Sequence, residues 1–545
     1  MPISPGHQGV RESLLVRIAK LIASYAQRVN TQRTVPILSG KVRDDALAVS
    51  RLGYLNPFLP ERRDGERAVL GDDFEPGGPV WSVQGDTAAH PNLPRVRRKA
   101  EALAETMREH LAAGGATDAE ERRIYEDVVA YLLYDRHETA LYDLIERGRN
   151  RARVGVWPRF AADLAHFADI LGDERGLLRD PAHLFACFFQ VRRAFHHVFR
   201  FIVGGSMPAA RLRGGAWQSI FTHDMRRYRR ALYQSMGDVT TLVTGPSGTG
   251  KELVARAIGL SRYVPFDPRT GTFVDDCAGG FQALNLSAFS PTLIESELFG
   301  HQRGAFTGAL ADRAGWLETC GPRGAVFLDE IGELDPGIQV KLLRVLQART
   351  FQRLGDTTDR HFGGKIIAAT NRDLGAEMAA GRFRDDLYYR LCADLIETPS
   401  LRAQLDDAPD ELRVLVDFIA RRVVGDDEAG PLADEVLAWI ETQLGADYPW
   451  PGNVRELEQC VRNVLIRREY RPPALGQAGA RDALADAVRA GTLTADELLN
   501  RYCTLVFADS GSYLESARRL GLDRRTVKSR VDTDFLATLP RRSGR

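Results

Sequence analysis

The feature that most constrains this chain is a short β-branched run followed at once by a glycine-rich turn that contains a lysine. Residues 238–244 read DVTTLVT, which predicts a strand, and residues 245–252 read GPSGTGKE. Glycines let the backbone curl so that its N–H groups point at one anion, and the helix expected from Glu252 adds its positive dipole end. The pattern predicts a P-loop, in which Lys251 contacts the β- and γ-phosphates. The residues expected to hold the nucleotide are Gly245, Pro246, Ser247, Gly248, Thr249, Gly250, Lys251 and Glu252.

One position departs from the general P-loop pattern. A serine or threonine usually follows the lysine and holds Mg²⁺, whereas this chain has Glu252 there. Contact with the metal would then come from water, from Thr249 or from an acidic strand elsewhere. The strand before the turn and the helix after it still make a purely structural glycine turn the weaker interpretation.

The acidic strand is found about eighty residues later, where residues 324–331 read GAVFLDEI. A buried apolar strand that ends in two carboxylates, here Asp329 and Glu330, is what a Walker B element needs: one carboxylate organises Mg²⁺ and the other polarises the attacking water. Asn285 ends the strand-like run FQALNLS and could hydrogen-bond Glu330, while Asn371 ends KIIAATN and could sense the γ-phosphate. Strands that alternate with helices predict a parallel α/β sheet with the ligand at the carboxyl ends of its strands.

Between these two halves lies the run LFGHQRGAFTGA, residues 298–309. Its glycines and its single central phenylalanine favour an ordered, mobile loop with an apolar tip over a core strand. A loop held between two phosphate-sensing elements is expected to contact another molecule when the nucleotide state changes.

Length, charge and cysteine content limit the number of domains and the cellular compartment that we expect. A chain of 545 residues with 44% apolar and 27% charged residues suggests about three or four globular domains. The formal net charge of +0 means that any nucleic-acid site must be local. Six scattered cysteines without a CxxC pair argue against a disulfide framework and a structural zinc, and fit a reducing cytoplasm. The first residues lack the apolar core of a signal peptide, and the longest apolar stretch is broken by Arg192 and Arg193, so we expect a cytoplasmic protein without a membrane span.

Residues 1–205 are expected to form a mostly helical domain. Helical apolar spacing runs through residues 1–52 and again from about 93 to 203, whereas prolines and glycines in residues 53–95 predict irregular, loop-rich structure. The histidines at 137, 166, 183, 196 and 197 match no metal motif, and the aromatic stripe from Phe185 to Phe199 is expected to be core. What this domain senses cannot be read from the sequence.

The C-terminal segment predicts a helix-turn-helix. After a linker at residues 471–497, helices are expected at 498–507, 513–520 and 525–531, with Gly521 and Leu522 at the turn between the last two. Cations outnumber acids from Ser512 to Arg530, a local excess that suits contact with a phosphate backbone. A generic three-helix bundle is the open alternative.

Together these segments carry a family resemblance. GPSGTGKE, ELFGHQRGAFTGA, AVFLDEIGEL, IIAATNRDL, GRFRDDLYYRL and YPWPGNVRELE resemble the central domain of sigma-54-interacting AAA+ transcription activators, the bacterial enhancer-binding proteins, over about Gly214 to Arg468. That family also has glutamate after the P-loop lysine, which accounts for Glu252. The resemblance implies an ATP- and Mg²⁺-dependent ATPase that remodels sigma-54 RNA polymerase into the open promoter complex.

The resemblance also implies roles for individual residues. Asp329 would bind Mg²⁺ and Glu330 the attacking water. Asn285 would restrain Glu330, Asn371 would be sensor I, and Arg455 would be sensor II. Arg384 and Arg390 would be arginine fingers for the ATP of a neighbouring subunit, so that hydrolysis needs a homo-oligomeric ring, usually a hexamer. The loop residues Gly304, Ala305, Phe306, Thr307, Gly308 and Ala309 would contact sigma-54. A Fis-type recognition helix would bind enhancer DNA through Arg524, Arg525, Thr526, Lys528, Ser529 and Arg530.

The expected organisation is therefore a helical regulatory domain of unknown ligand (1–205), an α/β ATPase subdomain (206–399), a helical lid (400–470), a linker (471–497) and a DNA-binding domain (498–545). The connection at residues 259–285 is longer than usual by roughly ten residues, and loops tolerate such insertions; it would alter subunit contacts or bind the N-terminal domain. Two other functions stay open: an AAA+ machine that acts on another protein, and a DNA-binding regulator whose ATPase is inactive.

Overall fold

A computed structural model describes most of the chain as two compact units, residues 1–465 and 466–545. The residues that it describes are 40–76, 90–113, 118–146, 148, 153–174, 176–275, 280–472, 484–485, 487–489 and 491–538. The apolar spacing predicted around Leu14 to Ile22 lies outside them.

The N-terminal part of the first unit is helical, as predicted. Its helices are α1 (Gly40–Leu52), α2 (Glu61–Leu70), α3 (Leu93–Ala112), α4 (Ala119–Glu146), α5 (Trp157–Ala168) and α6 (Pro181–Phe201). Their apolar faces meet in one core, in which the predicted aromatic residues Phe185, Phe188 and Phe189 are buried. Phe195 and Phe199, at the end of the predicted stripe, are only half-buried and pack against a second core, so the prediction is confirmed for the first part of the stripe.

The loop-rich prediction for residues 53–95 is wrong for α2. Pro60 stands immediately before the first helical residue, where its missing N–H removes no helical hydrogen bond. Glu66, Val69 and Leu70 turn inward, so α2 is held by burial of one face. The prolines mark the start of this helix and do not exclude it.

A five-stranded parallel sheet forms the centre of the unit, in the order β11-β1-β10-β7-β4. This confirms the predicted parallel α/β subdomain. The strands of the sheet are β1 (Thr241–Thr244), β4 (Phe281–Asn285), β7 (Ala325–Asp329), β10 (Lys365–Thr370) and β11 (Asp394–Glu397). The helices around it are α7 (Met207–Phe221), α8 (Lys251–Gly259), α9 (Pro291–Phe299), α10 (Trp316–Thr319), α11 (Pro336–Ala348), α12 (Leu374–Ala379) and α13 (Asp385–Leu391). A short turn, Met225–Arg227, and a π-helix, Tyr228–Leu232, lead from α7 toward β1.

Among the described residues, this subdomain also contains three two-stranded hairpins. They are β2 (Phe266–Asp267) with β3 (Thr272–Phe273), β5 (Gly300–His301) with β6 (Arg313–Ala314), and β8 (Thr350–Phe351) with β9 (Arg360–His361). The first lies in the long connection at 259–285. Phe266 and Phe273 join the helical N-terminal core, which confirms the prediction that this connection binds the N-terminal domain.

Four helices follow the sheet and form the region predicted as a lid. They are α14 (Leu401–Asp407), α15 (Glu411–Val424), α16 (Asp426–Gln443) and α17 (Asn453–Arg467). Glu411 at the start of α15 accepts hydrogen bonds from the backbone N–H groups of Gly205 and Ser206. The lid is thereby fixed to the segment that enters α7.

The second unit is a small helical cluster. Its helices are α18 (Ala495–Ser510), α19 (Tyr513–Leu520), α20 (Arg524–Arg530) and α21 (Thr533–Thr538). Gly521 ends α19 with a φ of 65°, a conformation that glycine adopts without steric cost. The turn between α19 and α20 therefore lies where the sequence predicted it.

Among the described residues, no helix is long and apolar enough to cross a membrane.

Candidate nucleotide site and its effector loop

The turn between β1 and α8 has the backbone of a phosphate cradle. Gly245, Gly248 and Gly250 have φ values of 135°, 79° and 89°, which side chains with a Cβ rarely adopt. A Cβ at Gly245 would collide with Thr398, and one at Gly248 would collide with the carbonyl of Gly452. Glycine is needed at Gly245 and Gly248 for both conformation and space, and at Gly250 for conformation.

Lys251 begins α8 and is buried. Its Nζ donates to the carbonyl oxygens of Gly245 and Pro246, each at 3.0 Å. Burial lowers the pKa of Lys251, and the carboxylates of Glu330 and Asp329 oppose that shift. The predicted lysine and both predicted carboxylates therefore lie close enough to interact electrostatically, at the carboxyl ends of β1 and β7.

Asp329 and Glu330 are held in an arrangement that favours a cation. Burial raises the pKa of Asp329, and the neighbouring Glu330 raises it further. Glu330 has a φ of 56°, and its Oε2 is a buried atom without a hydrogen-bond partner. A bound Mg²⁺ and a positioned water would satisfy both carboxylates, so these residues fit the divalent metal that the motif implies.

Two other P-loop side chains are engaged in structural contacts. Thr249 Oγ1 donates to the carbonyl of Pro246 at 2.9 Å and lies 2.6 Å from Thr398 Oγ1. Glu252 is exposed and pairs with Arg256 at 3.0 Å, one turn along α8. Of the metal ligands left open by the sequence, the acidic strand is thus the best placed.

Asn285 ends β4 directly beside the Walker B strand. It is the register partner of Asp329, which places it at the predicted edge of the sheet. Its Oδ1 accepts hydrogen bonds from the Ser287 N–H at 3.0 Å and the Ser287 hydroxyl at 2.7 Å. Among the described residues, no hydrogen bond joins Asn285 to Glu330, so the predicted restraint is not made in this conformation. Asn371 follows β10 and is exposed.

The lid closes directly on the P-loop. Arg455 donates from its side chain to Ser247 Oγ and from its backbone N–H to the Gly248 carbonyl, both at 3.3 Å. Asn453 donates to the Ser247 carbonyl at 2.9 Å and accepts from the Leu401 N–H at 2.8 Å. Its φ of 53° is a conformation that asparagine tolerates better than most residues.

Arg384 stands immediately before α13 and Arg390 lies in its last turn, and both side chains are exposed. Arg384 forms two hydrogen bonds to the carboxylate of Asp386, at 3.0 and 2.7 Å. Exposed guanidinium groups on one short helix are available to a neighbouring molecule, which is what a residue acting across a subunit boundary requires.

The loop at residues 298–309, which is predicted to contact another molecule, includes most of the tip of the hairpin formed by β5 and β6. Backbone hydrogen bonds join Gly304 to Ala309 at 2.8 Å and Ala309 to Phe306 at 3.0 Å, so the tip is ordered. The Phe306 ring packs edge-on against His301, with centroids 5.0 Å apart, and is half-buried. Thr307 is exposed, and Leu310, which sequence reasoning passed over, is 85% exposed.

The charged face of the second unit is concentrated on α20. Arg524, Arg525, Thr526, Lys528 and Ser529 are exposed, whereas Val527 is buried. The side chain of Arg530 donates to Asp496 at 2.5 Å and to Asn500 at 3.2 Å. Arg530 therefore fastens α20 to α18, and the other five residues form the accessible face.

Comparison with known proteins decides the family of the central domain. Residues 220–397 match the family model described as the Sigma-54 interaction domain. The central domain of this chain is a sigma-54 interaction domain. The matched segment contains the P-loop, the 302–312 hairpin tip, the Walker B strand and α13, whereas Asn453 and Arg455 lie beyond it.

Two curated relatives share this domain with the chain. The transcriptional regulatory protein ZraR of Escherichia coli (strain K12) is 38% identical over 309 residues, which cover 54% of this chain and 63% of ZraR. The Nif-specific regulatory protein of Azotobacter vinelandii is 44% identical over 230 residues, 42% of this chain and 40% of that protein. The chain thus spans less than two thirds of the length of these relatives. The crystal structure of NtrX from Brucella abortus in complex with ADP aligns with a TM-score of 0.37 and 23% identity, over 69% of this chain and 80% of NtrX.

Proposed function

We propose that this protein is a sigma-54-dependent transcription activator that binds enhancer DNA and uses ATP hydrolysis to convert sigma-54 RNA polymerase into the open promoter complex. The observation that carries the proposal is the convergence of Lys251, Asp329 and Glu330 within a sigma-54 interaction domain that also presents an exposed hairpin. The proposal puts the protein in the cytoplasm, where the polymerase works.

In this proposal the chain binds the ATP phosphates with the P-loop backbone and Lys251, whose Nζ exchanges the carbonyls of Gly245 and Pro246 for phosphate oxygens. Asp329 holds Mg²⁺, which when bound neutralises phosphate charge. Glu330 orients the attacking water and accepts its proton. Arg455 and Asn453 bring the lid down on Ser247, which excludes bulk water from the phosphates.

Coupling to sigma-54 runs through the strand ends in this proposal. Asn285 exchanges its hydrogen bonds with Ser287 for one with Glu330 as the γ-phosphate comes and goes, and Asn371 senses the same group. A short 3-10 helix, Leu286–Ala288, follows Asn285 and is followed by α9 and then β5. A shift at the nucleotide can therefore reach the hairpin through one continuous segment. Phe306 and Thr307 contact sigma-54 once Phe306 leaves His301.

Oligomerisation and DNA binding complete the proposed activator. Arg384 and Arg390 reach the ATP of the next subunit in a ring, which we propose to be a hexamer. The exposed face of α20 binds enhancer DNA as a Fis-type recognition helix, and this raises the local concentration of subunits near the promoter. The alternative of an inactive ATPase has little support, because Lys251, Asp329, Glu330 and both arginines are present.

Replacement of Phe306 tests the proposed contact. Phe306→Ala removes an apolar ring but touches no nucleotide residue, so we expect wild-type ATPase activity and loss of sigma-54 capture in a pull-down with ATP. Phe289→Ala, which removes an exposed phenylalanine outside the hairpin, is the matched control and should keep both activities. Undiminished sigma-54 capture by Phe306→Ala would refute the assignment of this ring.

A further inference from the structure

A cavity of about 870 Å³ lies inside the first unit, away from the nucleotide site. Its wall combines the N-terminal helices α4 and α6, the segment around Trp217 and Arg229, and the lid helix α15 through Phe418 and Arg421. Its volume is in the range of pockets that take small organic ligands. A molecule bound there would touch the N-terminal domain, the entry to the ATPase and the lid together.

Aromatic side chains make up about a third of the residues that line the cavity. They include Tyr134, Tyr142, Phe188, Phe195, Phe199 and Trp217. Tyr134 and Phe188 are 5.6 Å apart between centroids, and Phe195 and Trp217 are 4.8 Å apart, so the rings of each pair are in contact. A wall preorganised in this way suits a ligand with an apolar body.

The cationic side chain of Arg192 lies among these rings. The guanidinium of Arg192 lies 4.5 Å from the centroid of the Tyr142 ring, and its Nε is buried without a hydrogen-bond partner. The Tyr134 hydroxyl is also buried beside Arg192, and among the described residues no acceptor receives its hydrogen. Buried donors without acceptors are costly, and an anionic oxygen between these two groups would satisfy both.

The charges around the cavity favour an anion. Three of its four carboxylates already have arginine partners: Glu66 has Arg62, Asp127 has Arg226 and Asp135 has Arg97. Arg192, Arg200 and Arg421 also line the cavity, and among the described residues none of the three forms an ion pair within 4 Å. Glu138 is the remaining acid: burial raises its pKa, and the charge of Arg192 opposes that rise. Three arginines without an ion pair thus share the wall with one such carboxylate.

We propose that this cavity binds an amphipathic organic acid, with its apolar body against the aromatic rings and its carboxylate between Arg192 and the Tyr134 hydroxyl. The site is distinct from the ATP site and does not depend on the proposed transcriptional function. Because Phe418 and Arg421 belong to α15, the bound acid contacts the same lid that carries Arg455 to the P-loop.

Isothermal titration of the full chain tests the charge preference with three probes of one shape: 1-naphthoate, naphthalene-1-methanol and 1-naphthylmethylammonium. We expect naphthoate to bind tightest and the ammonium weakest. Equal affinities, an inverted order or binding of none of the three would overturn the proposal without any variant.

Substitution of Arg192 then tests its role in binding the carboxylate. Arg192→Gln should weaken naphthoate by about tenfold and leave the neutral alcohol unchanged, because only the charge-assisted contact is lost. Arg211→Gln, an exposed arginine of α7 outside the cavity, should bind all three probes as the wild type does. Thermal unfolding of each variant shows whether the fold is intact. A well-folded Arg192→Gln protein with unchanged preference for naphthoate would contradict the assignment.

Discussion

Glu330 combines a left-handed backbone, with φ of 56°, and a buried carboxylate oxygen that has no hydrogen-bond partner. Each feature costs stability, and such costs concentrate where a group is held ready for chemistry. Lys251 satisfies its own ammonium with two backbone carbonyls only 3.0 Å away. The site therefore holds a poised carboxylate beside a lysine that can exchange partners.

Glu330→Gln tests the role of that carboxylate. The amide keeps the shape of the side chain but cannot accept a proton, so we expect ATP to bind normally and turnover to fall by about 10²–10⁴-fold. Nucleotide affinity and phosphate release measure the two effects separately. Glu333→Gln, three residues away in an exposed pair with Arg372, is the control and should turn over ATP like the wild type. Near-normal turnover in Glu330→Gln would remove Glu330 from the mechanism.

For individual residues, the sequence predicts positions in the site that are set by the local backbone. Lys251, Asp329 and Glu330 can be placed because a glycine turn and an acidic strand end have fixed relations to a parallel sheet. The partners of Asn285, the exposure of Leu310 and the pairing of Arg530 with Asp496 depend on tertiary packing, which no local pattern encodes. Asn453 was missed for the same reason, since its contact with Ser247 joins residues 206 positions apart.

Among the elements, the hairpin of β2 and β3 explains the long connection at residues 259–285. Phe273 stacks on Phe189 with centroids 4.2 Å apart, and Phe266 meets Phe185 at 4.9 Å. The side chain of Gln190 donates to the Ser261 carbonyl at 2.9 Å, just after α8. The added residues thus join the N-terminal core to the end of the P-loop helix.

Phe273→Ala tests this joint. Phe273 is 2% exposed, and loss of a buried phenylalanine ring costs about 3–5 kcal/mol through lost burial and a residual cavity. We expect a lower unfolding temperature by calorimetry. The neighbouring Val274, 45% exposed, provides the control, since Val274→Ala should leave that temperature nearly unchanged. Equal effects of the two substitutions would mean that the hairpin is not packed as described.

The same scale shows where sequence patterns fail. Prolines and glycines averaged over residues 53–95 hide a ten-residue helix, α2, because Pro60 lies at a helix start rather than inside one. The long connection was recognised from its length, but its hairpin could not be, since β2 and β3 are only two residues each and are held by aromatic contacts from α6. Elements stabilised mainly by a distant partner leave little trace in local periodicity.

In the molecule as a whole, the N-terminal domain and the ATPase share one core. Phe58, Ala194 and Val198 are buried together with Trp217 and Phe221 of α7. Deletion of residues 1–205 would expose this surface to solvent. Any change in ATPase activity could then result either from lost regulation or from lost packing. Substitutions in the full chain, such as those in the cavity, separate the two.

The proposed ring makes a prediction about mixed subunits. Lys251→Ala should lack ATP binding but still offer Arg384, while Arg384→Ala should bind ATP but lack the finger. If each site needs one neighbour and subunits mix at random, an equal mixture should recover about a quarter of wild-type ATPase activity. Phosphate release from the mixture and from each variant alone measures this. A mixture no more active than its components would argue against a trans role for Arg384.

The most direct test of the central claim is formation of open complexes by sigma-54 RNA polymerase on a sigma-54 promoter, measured as heparin-resistant transcripts. With the full chain and ATP we predict open complexes. With the β,γ-imido analogue of ATP, or with Lys251→Ala and ATP, we predict none. Open complexes that form equally well without hydrolysable ATP, or that never form with the wild-type chain and ATP, would contradict the account.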